Sequence, residues 1–372
     1  MKKIVCFTGG GTAGHVFPGL AVLGELKRAA AGAGQDIEFL WLTSRGGMEN
    51  ALLEQEGVAR RAFFSGKLRR YFSLQNFFDL FKIFIGFLQS FFFFLPRRRA
   101  LLFSKGGFVG VCPAAAAGLL GVPVYIHESD ADPGLATRLA APFARRILLS
   151  LPETRSYFSP AYQSRITVTG NPVRPEMDRA SPSRGRRLLG LDQDKPLLLI
   201  LGGSQGAREI NRLAAEVVPS LIDRGAAVVH QTGRGDSPPQ GGGFYHVRAF
   251  IGEELPDLMA AADLVLSRAG AATLWELASL QKPMLLLPLG LAGSRGDQIK
   301  NAGIFESRGM ARIFSGGPEK LLEELTGLLL EPRGRETLAA MSRACREFLP
   351  PGKTPAAQIA EILLGEINET GH

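Results

Sequence analysis

Two stretches, KKIVCFTGGGTAGHVFPGLA (2–21) and PLLLILGGSQGAREIN (196–211), decide the fold. Each passes from a short apolar run into a glycine-rich loop and then into a helical pattern. A strand buried on both faces reads as an unbroken apolar run. A helix that starts directly behind it turns its free N–H groups toward the loop, where they suit an anion. In the first stretch the spacing places the helix start near Val16 to Pro18, with Leu20, Leu23 and Leu26 carrying it forward.

Outward from these two points the same alternation continues. IEFLWLT (37–43), ALLFSKGG (100–107), PVYIHES (123–129) and RRILLS (145–150) read as further strands of the first half. AAVVHQTG (226–233), VRAFIG (247–252), ADLVLSRAG (262–270) and PMLLLPLG (283–290) do so in the second. Residues 159–196 are rich in proline and charge, as connections between domains are. Residues 335–367 read as one or two helices broken by LPPGK (349–353). The expected class is therefore α/β, with two Rossmann-like, doubly wound domains facing each other across a cleft.

A chain of 372 residues has length for two ordinary domains. Its 45% apolar residues are enough to give each one a core. The net charge of +8 favours anionic partners, but no basic-plus-aromatic nucleic-acid motif accompanies it, so nucleic acid is not expected. Cys6, Cys112 and Cys345 are scattered without metal-ligand spacing, which suits a reducing, cytoplasmic setting. The N-terminal apolar run is too short for a secretory signal.

Three glycine loops follow apolar runs: Gly9 to His15, Ser104 to Gly110, and Gly202 to Ala207. No acidic residue stands at a strand end about 20 residues beyond either main loop, so neither is read as a dinucleotide site. The GxxxxGK[ST] pattern of P-loop nucleotide hydrolases is absent.

Seven phrases, GGGTAGHVFPGLA (9–21), SKGGFVG (104–110), HES (127–129), GNPVR (170–174), GGSQGA (202–207), SRAGAATLWE (267–276) and DQIKNA (297–302), stand in an order that resembles the MurG family of glycosyltransferases. The resemblance runs from residue 2 to about 365. It implies a GT-B fold and an inverting transfer of N-acetylglucosamine from UDP-N-acetylglucosamine, without metal or other cofactor. The implied acceptor is the C4 hydroxyl of a muramoyl-pentapeptide on undecaprenyl diphosphate. It further implies an N-terminal domain, 1–173, that meets acceptor and membrane, and a donor-binding domain, 174–346. A last helix, about 347–367, would return to the first domain.

Inverting transfer needs a base for the acceptor proton and a cradle for the departing diphosphate. His15 and Glu128 both stand as candidates for the base. Glu128 alternatively pairs with an arginine, and His127 reads as a satisfied core or loop histidine. By resemblance Thr12, Ala13 and Gly14 touch the donor sugar, while Arg174 and Ser204 hold the diphosphate. Ile251 meets the uracil. Ala271, Ala272, Thr273, Leu274, Trp275 and Glu276 wrap the uridine, with Glu276 accepting the ribose hydroxyls. Gln298 bonds the sugar hydroxyls. Arg268 suits either a phosphate or an ion pair.

The chain departs from the family pattern in three places. His127-Glu128-Ser129-Asp130 puts an acid where an amide usually contacts the donor sugar, and an ionised Asp130 cannot donate. Phe108 stands where a tyrosine is also found, and Asp297 differs from the usual neighbour of Gln298. Asp130-Ala131-Asp132 spells the DxD metal motif of another glycosyltransferase fold, which the two-domain repeat opposes.

Residues 71–95, YFSLQNFFDLFKIFIGFLQSFFFFL, hold ten of the 24 phenylalanines. Asp79, Lys82, Gly86 and Gln89 recur at helical spacing and form one polar stripe on a helix with an otherwise apolar surface. Lys67, Arg69 and Arg70 precede the segment, and Arg97, Arg98 and Arg99 follow it. That arrangement suits peripheral binding to an anionic membrane at the cytoplasmic face; the competing reading is core packing. As competing functions, another GT-B transferase, a UDP-N-acetylglucosamine 2-epimerase and a donor-binding subunit without turnover remain open.

Overall fold

The computed structural model describes residues 3–11, 13–47, 49–66, 74–202, 207–233, 241–290, 296–349 and 351–369. The chain forms two units, residues 1–174 with 351–372, and residues 175–350.

The first unit runs β1 (Lys3–Thr8), α1 (Ala13–Gly32), β2 (Ile37–Ser44), α2 (Glu49–Gln55), β3 (Arg60–Phe63), α3 (Leu74–Phe94), β4 (Leu101–Ser104), α4 (Val111–Leu119), β5 (Val124–Glu128), α5 (Leu135–Ala140), β6 (Arg146–Leu149) and β7 (Ile166–Val168). Its seven strands are parallel, in the order β3-β2-β1-β4-β5-β6-β7. Alternation along β1 serves two cores. Val5 and Phe7 pack with α1, and Cys6 packs on the opposite face with Phe93, Phe94 and Ala114.

The second unit runs α6 (Pro182–Leu188), β8 (Leu197–Leu201), α7 (Arg208–Asp223), β9 (Ala227–Gln231), β10 (Tyr245–Arg248), α8 (Leu255–Ala261), β11 (Leu264–Ser267), α9 (Ala271–Ser279), β12 (Met284–Leu286), α10 (Asp297–Ser307), β13 (Ala311–Ile313), α11 (Pro318–Leu329) and α12 (Pro332–Phe348). Six parallel strands lie in the order β10-β9-β8-β11-β12-β13, the same winding as the central part of the first sheet. The chain then returns as α13 (Pro355–Glu369), which docks Ile359 and Leu363 into the core beside α1. A buried bond secures that helix: the Tyr125 hydroxyl donates to Glu366 Oε2 at 2.7 Å, and Arg145 Nε approaches the same oxygen at 3.0 Å.

The structure differs from the sequence expectation at several edges. α1 begins at Ala13, before the expected Val16–Pro18, and Pro18 lies inside it. The proline marks an early turn of the helix rather than its first residue. The supposed connection 159–196 contributes β7 and α6. Strands β3, β7 and β13 went unread because each has only three or four residues at a sheet edge, without an apolar run.

Helix α3 is turned inside out relative to a soluble surface helix. Three of its four polar-stripe positions, Asp79, Gly86 and Gln89, face the protein, while Lys82 is exposed and pairs with Asp79 at 3.1 Å. Asp79 is buried, Gln89 Oε1 accepts the Phe64 N–H at 2.9 Å, and a Cβ added to Gly86 would stand 1.9 Å from the Phe64 carbonyl oxygen. Phe93 and Phe94 also turn inward. Leu80, Phe81, Phe84, Ile85 and Phe92 remain on the surface, with Phe92 64% exposed. Among the described residues no helix is long and apolar enough to cross a membrane.

Candidate active site

In a doubly wound sheet the ligand crevice lies beyond the strand ends where the order reverses. In the first unit that point falls between β1 and β4, and in the second between β8 and β11. The loop leaving β1 starts at Gly9 and ends before α1 at Ala13, Lys105–Gly110 follows β4, and the loops leaving β8 and β11 start at Gly202 and Arg268. The topology therefore puts the start of each glycine loop at a crevice.

In the first unit the loops are built to touch. Gly11 has φ +82, and a Cβ there would lie 2.8 Å from the Phe108 ring. At Gly107, φ +78, a Cβ would lie 2.6 Å from the Gly10 carbonyl oxygen and 3.4 Å from His15 Cδ2. Only glycine allows both the backbone turn and the close approach. His15, half-buried on the first turn of α1, thus lies against the backbone of Gly106 and Gly107. Trp41 Nε1 donates to the Gly9 carbonyl at 3.2 Å, and Glu49 accepts the Gly11 N–H at 3.2 Å. Burial works against ionisation of Glu49, but hydrogen bonds from Ser44 and Gly11 outweigh it and hold the carboxyl below its ordinary range.

Glu128, at the end of β5, accepts from the N–H groups of Ser129, Asp130 and Gly134 at 2.9, 3.1 and 3.0 Å. The Thr137 hydroxyl adds a fourth bond at 2.5 Å. The carboxylate thereby ties together the turn that follows β5. Asp130 lies half-buried on that turn, its carbonyl accepting from Thr154, and Asp132 pairs with Arg138 at 2.8 Å. His127 is buried with Nε2 on the Gly170 carbonyl at 3.0 Å. Burial and the charge of Lys105 hold its imidazole well below the ordinary value, so it is neutral. Arg174 lies over the Phe17 ring at 5.1 Å, which brings its guanidinium to α1 two residues from His15.

In the second unit α9 starts behind β11 at Gly270, an N-cap residue with no side chain to satisfy the first-turn N–H groups, the kind of helix end that suits an anion. Ala272 and Thr273 are half-buried on this turn, with Ala271 and Glu276 more enclosed. Leu274 and Trp275 point into the core, and the Trp275 ring packs on Phe348 at 4.8 Å. Ile251 is likewise a core side chain, with its N–H given to Gln231 Oε1 at 2.9 Å. Gln298 Oε1 accepts the Leu289 N–H at 3.0 Å. Arg268 pairs with Glu209 at 2.9 Å and also donates to the Leu287 carbonyl. Gly14 sits half-buried in the first turn of α1, in the same unit as His15, beside Ala13. Thr12 and Ser204 lie outside the described residues.

Residues 5–149 match the glycosyltransferase family 28 N-terminal domain, and residues 197–355 match the C-terminal domain of the same family. The chain belongs to glycosyltransferase family 28. A family 28 relative from Treponema pallidum is 44% identical, over 88% of this chain and 86% of its own. It is named UDP-N-acetylglucosamine–N-acetylmuramyl-(pentapeptide) pyrophosphoryl-undecaprenol N-acetylglucosamine transferase. A relative of the same name from Treponema denticola is 39% identical over 97% of both chains. The crystal structure of Acinetobacter baumannii MurG superposes with a TM-score of 0.71 at 25% identity, covering 98% of this chain and 100% of that one. The two doubly wound units are those of a GT-B glycosyltransferase.

Within this family 28 frame, three residues of the first site were not singled out from sequence. Lys105, 1% exposed, donates from Nζ to Ser129 Oγ, and Glu49 and Trp41 anchor the first glycine loop. Lys105 stood inside a quoted motif, and a lysine between a buried strand and two glycines was the available signal. Glu49 and Trp41 reach the loop from α2 and β2, and their spacing carried no signal.

Proposed function

We propose that the chain transfers N-acetylglucosamine from UDP-N-acetylglucosamine to the C4 hydroxyl of a muramoyl-pentapeptide on undecaprenyl diphosphate, with inversion. The observation that carries this reading is the match to both family 28 domains together with relatives named for this transfer at 39–44% identity.

The first unit takes the acceptor and the second the donor. His15 removes the C4 proton as that oxygen attacks the anomeric carbon, and the bond to UDP breaks with its electrons leaving on the diphosphate. A half-buried imidazole against a glycine bed suits that role, since a neutral histidine accepts a proton near neutral pH. Glu128 already accepts four hydrogen bonds, which favours its organising the turn that carries Asp130. Arg174, with the N–H groups at the α9 N-terminus and Ser204, holds the diphosphate. Ala271, Ala272, Thr273 and Glu276 meet the uridine, where Leu274, Trp275 and Ile251 support from the core. Gln298 is assigned to the donor-sugar hydroxyls, and Thr12, Ala13, Gly14 and Asp130 are assigned to the same sugar.

The lipid acceptor requires the enzyme at a membrane surface, and α3 suits that task. Phe84, Ile85 and Phe92 are exposed on a helix whose Asp79 and Gln89 are used internally. Arg97, Arg98 and Arg99 stand at its end, each worth roughly 1 kcal/mol near anionic lipid. The chain is read as peripheral, at the cytoplasmic face.

The test is UDP release in chelator-containing buffer, with and without the lipid-linked acceptor. Release that needs the acceptor is the expected result. Donor conversion without any acceptor indicates an epimerase, and donor binding without turnover indicates a non-catalytic subunit; either outcome rejects the reading.

A further inference from the structure

We infer, on the function proposed above, that Lys105 is a positioning residue for the transfer: its buried ammonium ties the Ser104–Gly110 loop to the Glu128–Asp130 turn and so sets the glycine bed against His15. Three observations lead there.

The first is connectivity. The Lys105 backbone N–H donates to the Thr8 carbonyl at 2.8 Å, across the point where the strand order reverses. Its Cβ lies under Gly9, 3.1 Å from where a Cβ would stand. The side chain then reaches Ser129 Oγ, which donates onward to Asn171 Oδ1 at 2.8 Å. Ser150 Oγ approaches the same amide oxygen at 3.4 Å. Lys105 thus joins the end of β1 to the loop leaving β4 by its backbone and Cβ, reaches the turn after β5 with its ammonium, and through Ser129 is linked to Asn171 after β7.

The second is charge. Glu128 and Asp130 lie close enough to attract the ammonium, and His127 close enough to be repelled by it. Without that positive charge the turn would present two carboxylates to a substrate that is itself a diphosphate. The ammonium also accounts for an acid being tolerated at position 130, where the resemblance leads one to expect an amide.

The third is incomplete satisfaction. An ammonium has three donors, and a single partner, Ser129, is found for it among the described residues. Asn171 Nδ2 and His127 Nδ1 are buried at the same junction without a partner among those residues. Groups left so are costly, and an apolar side chain of similar volume holds a purely structural junction as well or better. The charge is retained for what it does to the loops.

Burial pushes the Lys105 ammonium down to about 8, against the pull of Glu128 and Asp130. The titratable groups around it are Glu128, Asp130 and His127 from β5 and its turn, with His15 of α1 beyond Gly106. Its charge is therefore lost as pH rises through that value, and turnover falls on the same limb.

The experiment compares full-length wild type with Lys105→Met and Ser129→Ala in the acceptor-dependent assay, with UDP affinity by calorimetry and kcat followed across the range where the ammonium titrates. Lys105→Met is expected to lower kcat roughly 10- to 100-fold with UDP affinity unchanged, and to lack the alkaline fall of the wild type. Ser129→Ala keeps the charge, loses less, and retains the fall. A kcat for Lys105→Met within about twofold of wild type, or the same alkaline fall in both, overturns the inference. If Lys105→Met does not fold, Ser129→Ala decides: reduced kcat with intact UDP affinity supports the tie, and unchanged kcat overturns it. A wild type that transfers nothing rejects the proposed function itself, and this inference with it; an active wild type with equally active variants rejects the inference alone.

Discussion

The Glu49 carboxylate accepts the Gly11 N–H at 3.2 Å and, on its other oxygen, the Ser44 N–H and hydroxyl at 2.9 and 2.5 Å. It is fully buried and lies where a Cβ on Gly10 would stand, 2.7 Å from Cδ. Glu49→Gln presents an amide N–H group to donors that need an acceptor. The expected cost is about 1–3 kcal/mol in urea unfolding at neutral pH, with a fall in turnover as the loop loosens. Because the native carboxyl sits below its ordinary range, its stabilising effect is present above that range and is lost as pH falls through the lowered value. The gap between wild type and variant should therefore narrow in acid.

Removal of the Tyr125 hydroxyl tests the docking of α13. Tyr125→Phe leaves Glu366 Oε2 without its 2.7 Å donor, although Arg145 remains at 3.0 Å. A loss of about 1–2 kcal/mol in chemical denaturation is expected, with UDP affinity unchanged, since the unit proposed to bind the donor is untouched. Unaltered stability would show that the packing of Ile359 and Leu363 alone holds the helix.

His230 makes the second unit sensitive to acid. Its Nε2 donates to Asn211 Oδ1 at 3.0 Å and its Nδ1 accepts from the Tyr245 hydroxyl at 2.9 Å, a neutral tautomer fixed at both nitrogens. Burial pushes the imidazole down to about 4, against 6.5 for an ordinary histidine. Between those values the unfolded chain binds a proton that the native chain refuses, so stability falls as pH drops from 6.5 toward 4. The loss is on the order of 3 kcal/mol at the lower end. His230→Gln, which bonds without titrating, should flatten that slope in urea midpoints measured across the window.

The exposed face of α3 predicts lipid dependence. Phe84→Asp with Phe92→Asp should abolish sedimentation with anionic vesicles while leaving UDP affinity intact, since each exposed phenylalanine offers about 1.5–3 kcal/mol on burial. Salt should release the wild type only in part, because the apolar contribution is not screened. Equal sedimentation of wild type and variant would remove α3 from the membrane account.

Much of the fold was legible because the deciding signals are local. Val5 to Thr8 and Leu197 to Leu201 are strands buried on both faces, and their unbroken apolar runs ending in glycine have few other readings. Arg60 to Phe63 carries two exposed arginines on an edge strand, where neither run nor alternation appears. The geometry of the candidate site was legible where neighbouring motifs meet, as where His15 lies against Gly107. It was not where distant elements converge. Glu49 reaches Gly11 from 38 positions away, and the buried environment of Lys105 is assembled by four strand ends. The same limit applies to Leu274 and Trp275: the motif names them, but helical phase turns them into the core.

The most direct measurement follows label from UDP-N-acetylglucosamine into the lipid fraction on addition of undecaprenyl-linked muramoyl-pentapeptide, for wild type and His15→Ala, alongside UDP calorimetry. Rapid labelling by the wild type is expected, with a fall of roughly 10²- to 10⁴-fold in His15→Ala at unchanged UDP affinity. Label that never enters lipid, or enters equally fast without the imidazole, would contradict the account.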